Sequence, residues 1–171
     1  MQPDLTPDRQ AVLERLMTQY GSTLLRMCTL HLRDAALAED AVQDTFLKAY
    51  KRLDDLRDAS RERSWLMSIA INTCRDYLRT AWLRHTDRRI SLDLLPEPTC
   101  ESIWPDATVI TEVMSLPHKL REAVLLRYYQ GMKLKEVADA LHISPSTVKQ
   151  RLDRANTILH SRLERWYFNE D

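Results

Sequence analysis

Two glycines, three cysteines and a formal net charge of zero are the first things to explain in this chain of 171 residues. Two glycines leave no glycine-rich phosphate loop, and the five histidines are dispersed with no nucleophile beside them. No catalytic residue, cofactor or metal is therefore expected. The cysteines have no regular spacing, so a disulfide framework is excluded and a reducing cytoplasm is expected. Cys28 and His31 have a C-x-x-H spacing that supplies half a zinc site, but no second pair is evident and Cys28 reads as a small buried hydrophobe. No apolar run approaches the ~20 residues that span a bilayer. The opening MQPDLTPDRQ lacks the apolar centre of a signal peptide. No membrane insertion is expected.

What is present is helical patterning. Charged residues make up 29% of the chain, and apolar residues recur at helical spacing almost throughout. An all-α protein is the expectation. A first helix over residues 8–33 carries Val12, Leu16, Tyr20, Leu24 and Cys28 on one stripe, widened by Leu13 and Met17. Asp34 caps a second helix that runs to about Leu53. A third, from about Arg61 to Leu83, has the stripe Trp65, Leu66, Ile69, Ala70, Thr73, Cys74, Tyr77 and Leu78. Periodicity is then lost from His85 to Pro105, a stretch with Pro96, Pro98 and Pro105 that reads as a linker. Helical pattern resumes near Ala107, breaks at Leu116-Pro117, continues from His118 to Tyr129, and is expected to meet a helix C-cap at Gly131. This divides the chain into a helical unit at 8–84, a flexible linker at 85–106 and a second helical unit at 107–168.

The stretch KLKEVADALHISPSTVKQRLDRA, residues 133–155, carries most of the functional signal. A short helix with Val137, Ala138 and Leu141 on one face is followed by a tight turn through His142. Ser144 can N-cap a second helix with Pro145 at its first position, where a missing N–H costs nothing. That helix buries Val148 and Leu152 and turns Lys149, Gln150, Asp153 and Arg154 outward. This is a helix-turn-helix, whose second helix reads the DNA major groove.

Charge distribution explains the neutral total. Arg57–Arg89 holds eight arginines against four acids, Ile90–Glu112 holds five acids and no Lys or Arg, and Pro145–Arg165 holds five basic residues against two acids. Two basic blocks thus flank an acidic connector, as two nucleic-acid faces separated by a segment that avoids DNA would require. On the second helix, Ala38, Ala41, Val42, Phe46, Ala49, Tyr50 and Leu53 share a face, while Leu47 falls opposite it among Asp40, Asp44 and Lys51. An outward Leu framed by charge, beside Gln43 and Lys48, suits a helix that docks on a protein. On the third helix, Ser68, Asn72, Arg75, Asp76 and Arg79 lie off the stripe, and Arg57, Arg61 and Arg63 precede it. Those groups can bond base edges and phosphates. Trp65 can stack on an unpaired base, but its place on the stripe favours packing in the core.

In AEDAVQDTFLKAYKRLDDLRD, SWLMSIAINTCRDYLR and LPHKLREAVLLRYYQGMKLKEVADALHISPSTVKQRLDRA, the chain resembles, in order and over almost its whole length, the bacterial sigma factors of the extracytoplasmic-function type. Those are minimal members of the sigma-70 family, with regions 2 and 4 joined by a linker. The resemblance implies that Gln43, Asp44, Leu47 and Lys48 dock on a coiled coil of the largest subunit of core RNA polymerase. It implies that Asn72 and Asp76 read the minus-ten element, with Arg75 and Arg79 beside them. The loop from Leu56 through Arg57 to Arg61 would capture a base flipped from the melted single strand. Ser146, Thr147, Lys149, Gln150, Asp153 and Arg154 would read the minus-thirty-five element in duplex promoter DNA. The acidic linker would thread the channel that later holds RNA, and an anti-sigma factor would hold the chain inactive. Asp76 is an acid where Asn or another neutral residue could also serve, Asp153 is an acid within the recognition helix that could read cytosine or face solvent, and the flipped-base loop lacks the glycine often found there. Two other readings fit parts of the chain. A conventional helix-turn-helix regulator would bind duplex DNA without polymerase, and a helical adaptor would bind no DNA at all. Neither uses the arginine-rich third helix together with the acidic linker.

Overall fold

A computed structural model describes residues 8–83 and 107–168, all helices and short connections. The linker expected at 85–106 lies outside the described residues. Helix α1 (Arg9–Leu32) starts where the Asp8 carboxylate accepts from Gln10 N–H at 3.1 Å. It stops at Arg33, whose backbone turns left-handed (φ 59°) and donates its N–H to the Thr29 carbonyl. The next residue is already a cap. Asp34 accepts from the Leu37 N–H at 2.9 Å and opens α2 (Ala35–Lys51). Two caps on adjacent residues produce the sharp reversal that folds α2 back along α1.

Helix α2 buries Ala38, Ala41, Thr45, Phe46 and Ala49, three and four residues apart. Thr45 was not among the expected core positions, yet it is fully buried. Its hydroxyl donates back to the Ala41 carbonyl at 2.7 Å, which removes the cost of burying it. Tyr50, expected on that face, is instead partly exposed and lies under the Arg9 guanidinium. Two single-turn 3₁₀ segments, Leu53–Asp55 and Ala59–Arg61, lead into α3 (Glu62–Leu83), the second capped by Asp58.

The second unit comprises α4 (Ala107–Met114), α5 (His118–Val124), α6 (Leu134–Leu141) and α7 (Pro145–Phe168). The expected break at Leu116-Pro117 is there, with Pro117 at the N-cap of α5. After Val124 the helix widens into a π-turn over Leu125–Tyr129, where Gln130 N–H reaches the Leu125 carbonyl. Gly131, at φ +65°, ends it in the left-handed region that a side chain would disfavour.

The two units do not stand apart. One continuous core runs from Leu16, Leu24 and Leu66 through Met67 and Ile71 to Leu125, Val137 and Val148. Helix α3 is the shared layer, with α1 and α2 against one side and α6 against the other. Met67 and Ile71, which fall outside the expected stripe, are therefore fully buried. Each such side chain contributes about 2 kcal/mol when removed from water. The expectation of two helical units holds, but the described parts pack as one body.

Candidate polymerase and DNA interfaces

Leu47 is 57% exposed in the fourth turn of α2, as its position opposite the core face requires. It does not stand alone. Met17 of α1, expected inside, is 49% exposed. With Leu13, Leu25, Val42 and Phe46, these side chains line an open apolar groove of about 690 Å³ between α1 and α2. Gln43 and Glu39 stand at its edge. The sequence marked only the α2 wall, because Met17 fits the stripe of α1 equally well.

The other two residues expected on this face are already engaged. Asp44 Oδ2 accepts from the Tyr77 hydroxyl at 2.6 Å. Burial first, then that carboxylate, push the Tyr77 pKa up to about 12, so the phenol keeps the proton it donates. Lys48 Nζ reaches the Thr73 hydroxyl at 3.1 Å and lies 3.7 Å from Asp76 Oδ2. A residue expected to touch polymerase thus meets one expected to touch DNA.

The minus-ten candidates divide into two groups. Arg57, Arg61, Asp76 and Arg79 are exposed, and Leu56 is half-buried between the two 3₁₀ turns. Arg79 donates to Asp76 at 3.1 Å. Asn72 and Arg75, by contrast, do not face solvent as expected. Arg75 donates from Nε to Glu122 Oε2 at 2.9 Å and from Nη2 to Glu122 Oε1 at 2.6 Å. Asn72 Nδ2 lies 3.5 Å from His142 Nε2. One turn earlier, the Ser68 hydroxyl donates to the Ala140 carbonyl at 3.2 Å, and Arg63 donates to the Gln130 carbonyl. The face of α3 that bears these groups is covered by α5, α6 and the turn before α6. Trp65 packs against the core.

The buried charge beneath this contact was not legible in the sequence. Glu122 is fully buried on α5. Besides Arg75 it accepts from Arg151 of α7 at 3.1 Å. His31 of α1 lies 4.0 Å away, fully buried, and neither ring nitrogen has a hydrogen-bond partner. Burial holds the His31 pKa far below its ordinary value, and Arg121, His118 and Arg75 push it the same way. Arg121 is itself buried and donates to the Met114 carbonyl at 2.5 Å. Loss of water lowers its pKa to about 10.

The helix-turn-helix forms as the sequence predicts. Glu136 accepts from the Lys133 N–H at 2.7 Å and starts α6. His142 takes the left-handed corner at φ 55°, and Ile143 N–H returns to the Ala138 carbonyl. Ser144 Oγ then accepts from the Thr147 N–H at 3.2 Å and caps α7. Val148 and Leu152 are buried, and Ser146, Lys149, Gln150, Asp153 and Arg154 are exposed, with Thr147 half-buried. Thr147, Gln150 and Arg154 border a recess of about 340 Å³ whose other wall is Pro117, His118 and Lys119 at the start of α5. His118 and Lys119 thus extend the polar surface of α7 onto a second helix. Their signal was the helix start after Leu116-Pro117, which puts both on the first turn. Among the described residues no group of acids, histidines and cysteines is arranged to hold a metal, and no helix is long and apolar enough to cross a membrane.

Comparison with known proteins matches this arrangement at both ends. The family model for sigma-70 region 2 matches residues 16–84, and that for sigma-70 region 4 matches residues 108–156. The probable RNA polymerase sigma factor RfaY of Xanthomonas campestris is 32% identical over 90% of this chain, which spans only 41% of that longer protein. The ECF RNA polymerase sigma factor SigL of Mycobacterium tuberculosis is 30% identical over 90% of each chain. Among solved structures, CnrH in complex with the cytosolic domain of CnrY is 28% identical, with a TM-score of 0.66 over 91% of this chain and 89% of that one. With both regions matched in order, the chain belongs to the sigma-70 family of RNA polymerase sigma factors, in its extracytoplasmic-function group, and directs transcription initiation.

Proposed function

We propose that the chain docks on core RNA polymerase through the α1–α2 groove and reads a promoter at two elements. Leu47, with Met17 beside it, supplies the apolar contact, and Gln43 supplies an edge hydrogen bond. Lys149, Gln150 and Arg154, flanked by Ser146, Thr147 and Asp153, read the minus-thirty-five element from the major groove. Arginine or lysine pairs with guanine O6 and N7, and glutamine pairs with adenine N6 and N7. Asn72, Arg75, Asp76 and Arg79 act on the minus-ten element, and the loop of Leu56, Arg57 and Arg61 takes up a flipped base. The observation that carries this reading is the α7 face. Its polar side chains are exposed in a row, over a helix held in place by Val148 and Leu152.

The units at 8–84 and 107–168 divide this work, and the chain acts in the cytoplasm without catalysis or a cofactor of its own. An anti-sigma factor is the expected inhibitor. CnrH, which shares the fold, was solved with the cytosolic domain of a second protein. The test is run-off transcription with bacterial core polymerase on a pooled promoter library. Transcripts that need the chain and vanish with Leu47→Asp support the reading. Tight duplex binding with no transcript and no core binding would replace it with a conventional regulator.

A further inference from the structure

We propose that Cys28 and Cys74 are a modification site, where a peroxide joins the two thiols in a reversible disulfide that staples α1 to α3. Cys28 lies near the end of α1 and Cys74 in the second half of α3, and both are fully buried free thiols. Their sulfurs are 3.5 Å apart, with the Cys74 S–H donating to Cys28. A bonded pair stands at about 2.05 Å, so closure needs a shift of about 1.5 Å. The pair sits in a small buried cluster with Leu32, Ala38 and Ala41, separate from the main core. That separation confines the rearrangement to a few side chains. A lone buried cysteine is a small hydrophobe. Two that face each other, brought together from 46 residues apart, are also a dithiol.

Closure is slow and conditional, because the thiolate is the nucleophile. The bond to Cys28, then burial, hold the Cys74 thiol well above its ordinary pKa. In a reducing medium both cysteines therefore stay as thiols, and a small oxidant reaches them only through local opening of the helices. The Cys28 sulfur attacks one oxygen of hydrogen peroxide. The O–O bond breaks, and the leaving hydroxide takes the Cys28 proton as water. The Cys74 sulfur then attacks the Cys28 sulfenic sulfur. The S–S bond forms, the S–O bond breaks, and the Cys74 proton leaves in a second water. Two thiols have lost two electrons and the peroxide has gained them. A dithiol reverses the step by exchange. The disulfide restrains the unfolded chain by closing a loop between residues 46 apart, so it stabilises the folded first unit. Oxidation thus toughens this fold rather than opening it. None of this depends on the sigma-factor reading.

The test treats the 171-residue chain with hydrogen peroxide until the exposed Met17 carries its sulfoxide, which shows that the oxidant has acted. Remaining thiols are alkylated in urea, and tryptic peptides are mapped without reduction. The expected product joins peptides 27–33 and 64–75, two hydrogens lighter than the pair of free peptides. The thermal midpoint of the treated chain should rise by about 5 °C or more. Dithiothreitol should return it, since that reagent leaves methionine sulfoxide in place. Oxidised Met17 with Cys28 and Cys74 both still alkylated overturns the proposal. So do sulfinic acids without a link, a link through Cys100, and a link between two chains, seen as a dimer on a non-reducing gel. A link within one chain that leaves the midpoint unmoved overturns it as well.

Discussion

The two helices proposed to read DNA are built alike and presented differently. Both α3 and α7 are long helices with arginines on one side. On α7 an apolar stripe of Val148, Leu152 and Ala155 is buried, and the opposite side is bare. On α3 the stripe is doubled, because Met67 and Ile71 add a second buried side that meets α6. The Arg75 side of α3 is therefore inside a contact, and the Arg154 side of α7 is outside one. Recognition chemistry is set by side-chain identity, but its availability is set by how many apolar faces the helix has.

The largest expected effect comes from the doubled stripe. Ile71→Ala should destabilise the chain by about 3 kcal/mol, because a fully buried side chain leaves a cavity. Urea denaturation would measure it, and a change under about 1 kcal/mol would mean that this side of α3 is not packed. Lys149→Glu on the bare side should leave stability within about 0.5 kcal/mol. It should weaken duplex promoter binding by holoenzyme about a hundredfold, through a lost base or phosphate contact and a new repulsion. A gel-shift titration decides it, and equal binding would take Lys149 off the recognition surface. Ser144→Ala should cost about 1 kcal/mol by uncapping α7, read as a lower thermal midpoint.

Smallest at neutral pH is the effect of His31. Its pKa in the folded chain is depressed, so above its ordinary value of 6.5 the imidazole is neutral whether folded or unfolded. As pH falls below that value the unfolded chain takes up the proton first, and stability declines toward the depressed folded pKa. His31→Leu should flatten this acid loss and leave stability at pH 7 unchanged or slightly higher, since two unpartnered ring nitrogens are removed. An unaltered pH profile in that variant would assign the acid sensitivity to another group.

Much of this was legible in the sequence wherever a rule is local. Asp34 and Ser144 announce themselves as caps by side chain and position, and both accept the N–H bonds expected of them. Leu47 was found because it breaks the periodicity of its own helix. The failures share one cause, which is that partners distant in sequence cannot be seen along it. Met67 and Ile71 look like spillover from a stripe until α6 is placed beside them. Met17 fits a core stripe, and only α2 passing nearby leaves it at a groove. Glu122 follows Lys119 and Arg121 in a stretch where charged and apolar residues are mixed, HKLREAVLLR. Nothing local distinguishes a surface Glu from one whose arginines are 47 and 29 residues away.

The contact between Lys48 and Asp76 has a consequence for descent. One lies on the surface assigned to polymerase and the other on the surface assigned to the minus-ten element, yet their charges are 3.7 Å apart. A substitution that suits one surface alters the electrostatic surroundings of the other. The two surfaces are therefore not free to drift separately, and lineages that change the sign at position 48 should be found to have changed position 76 with it.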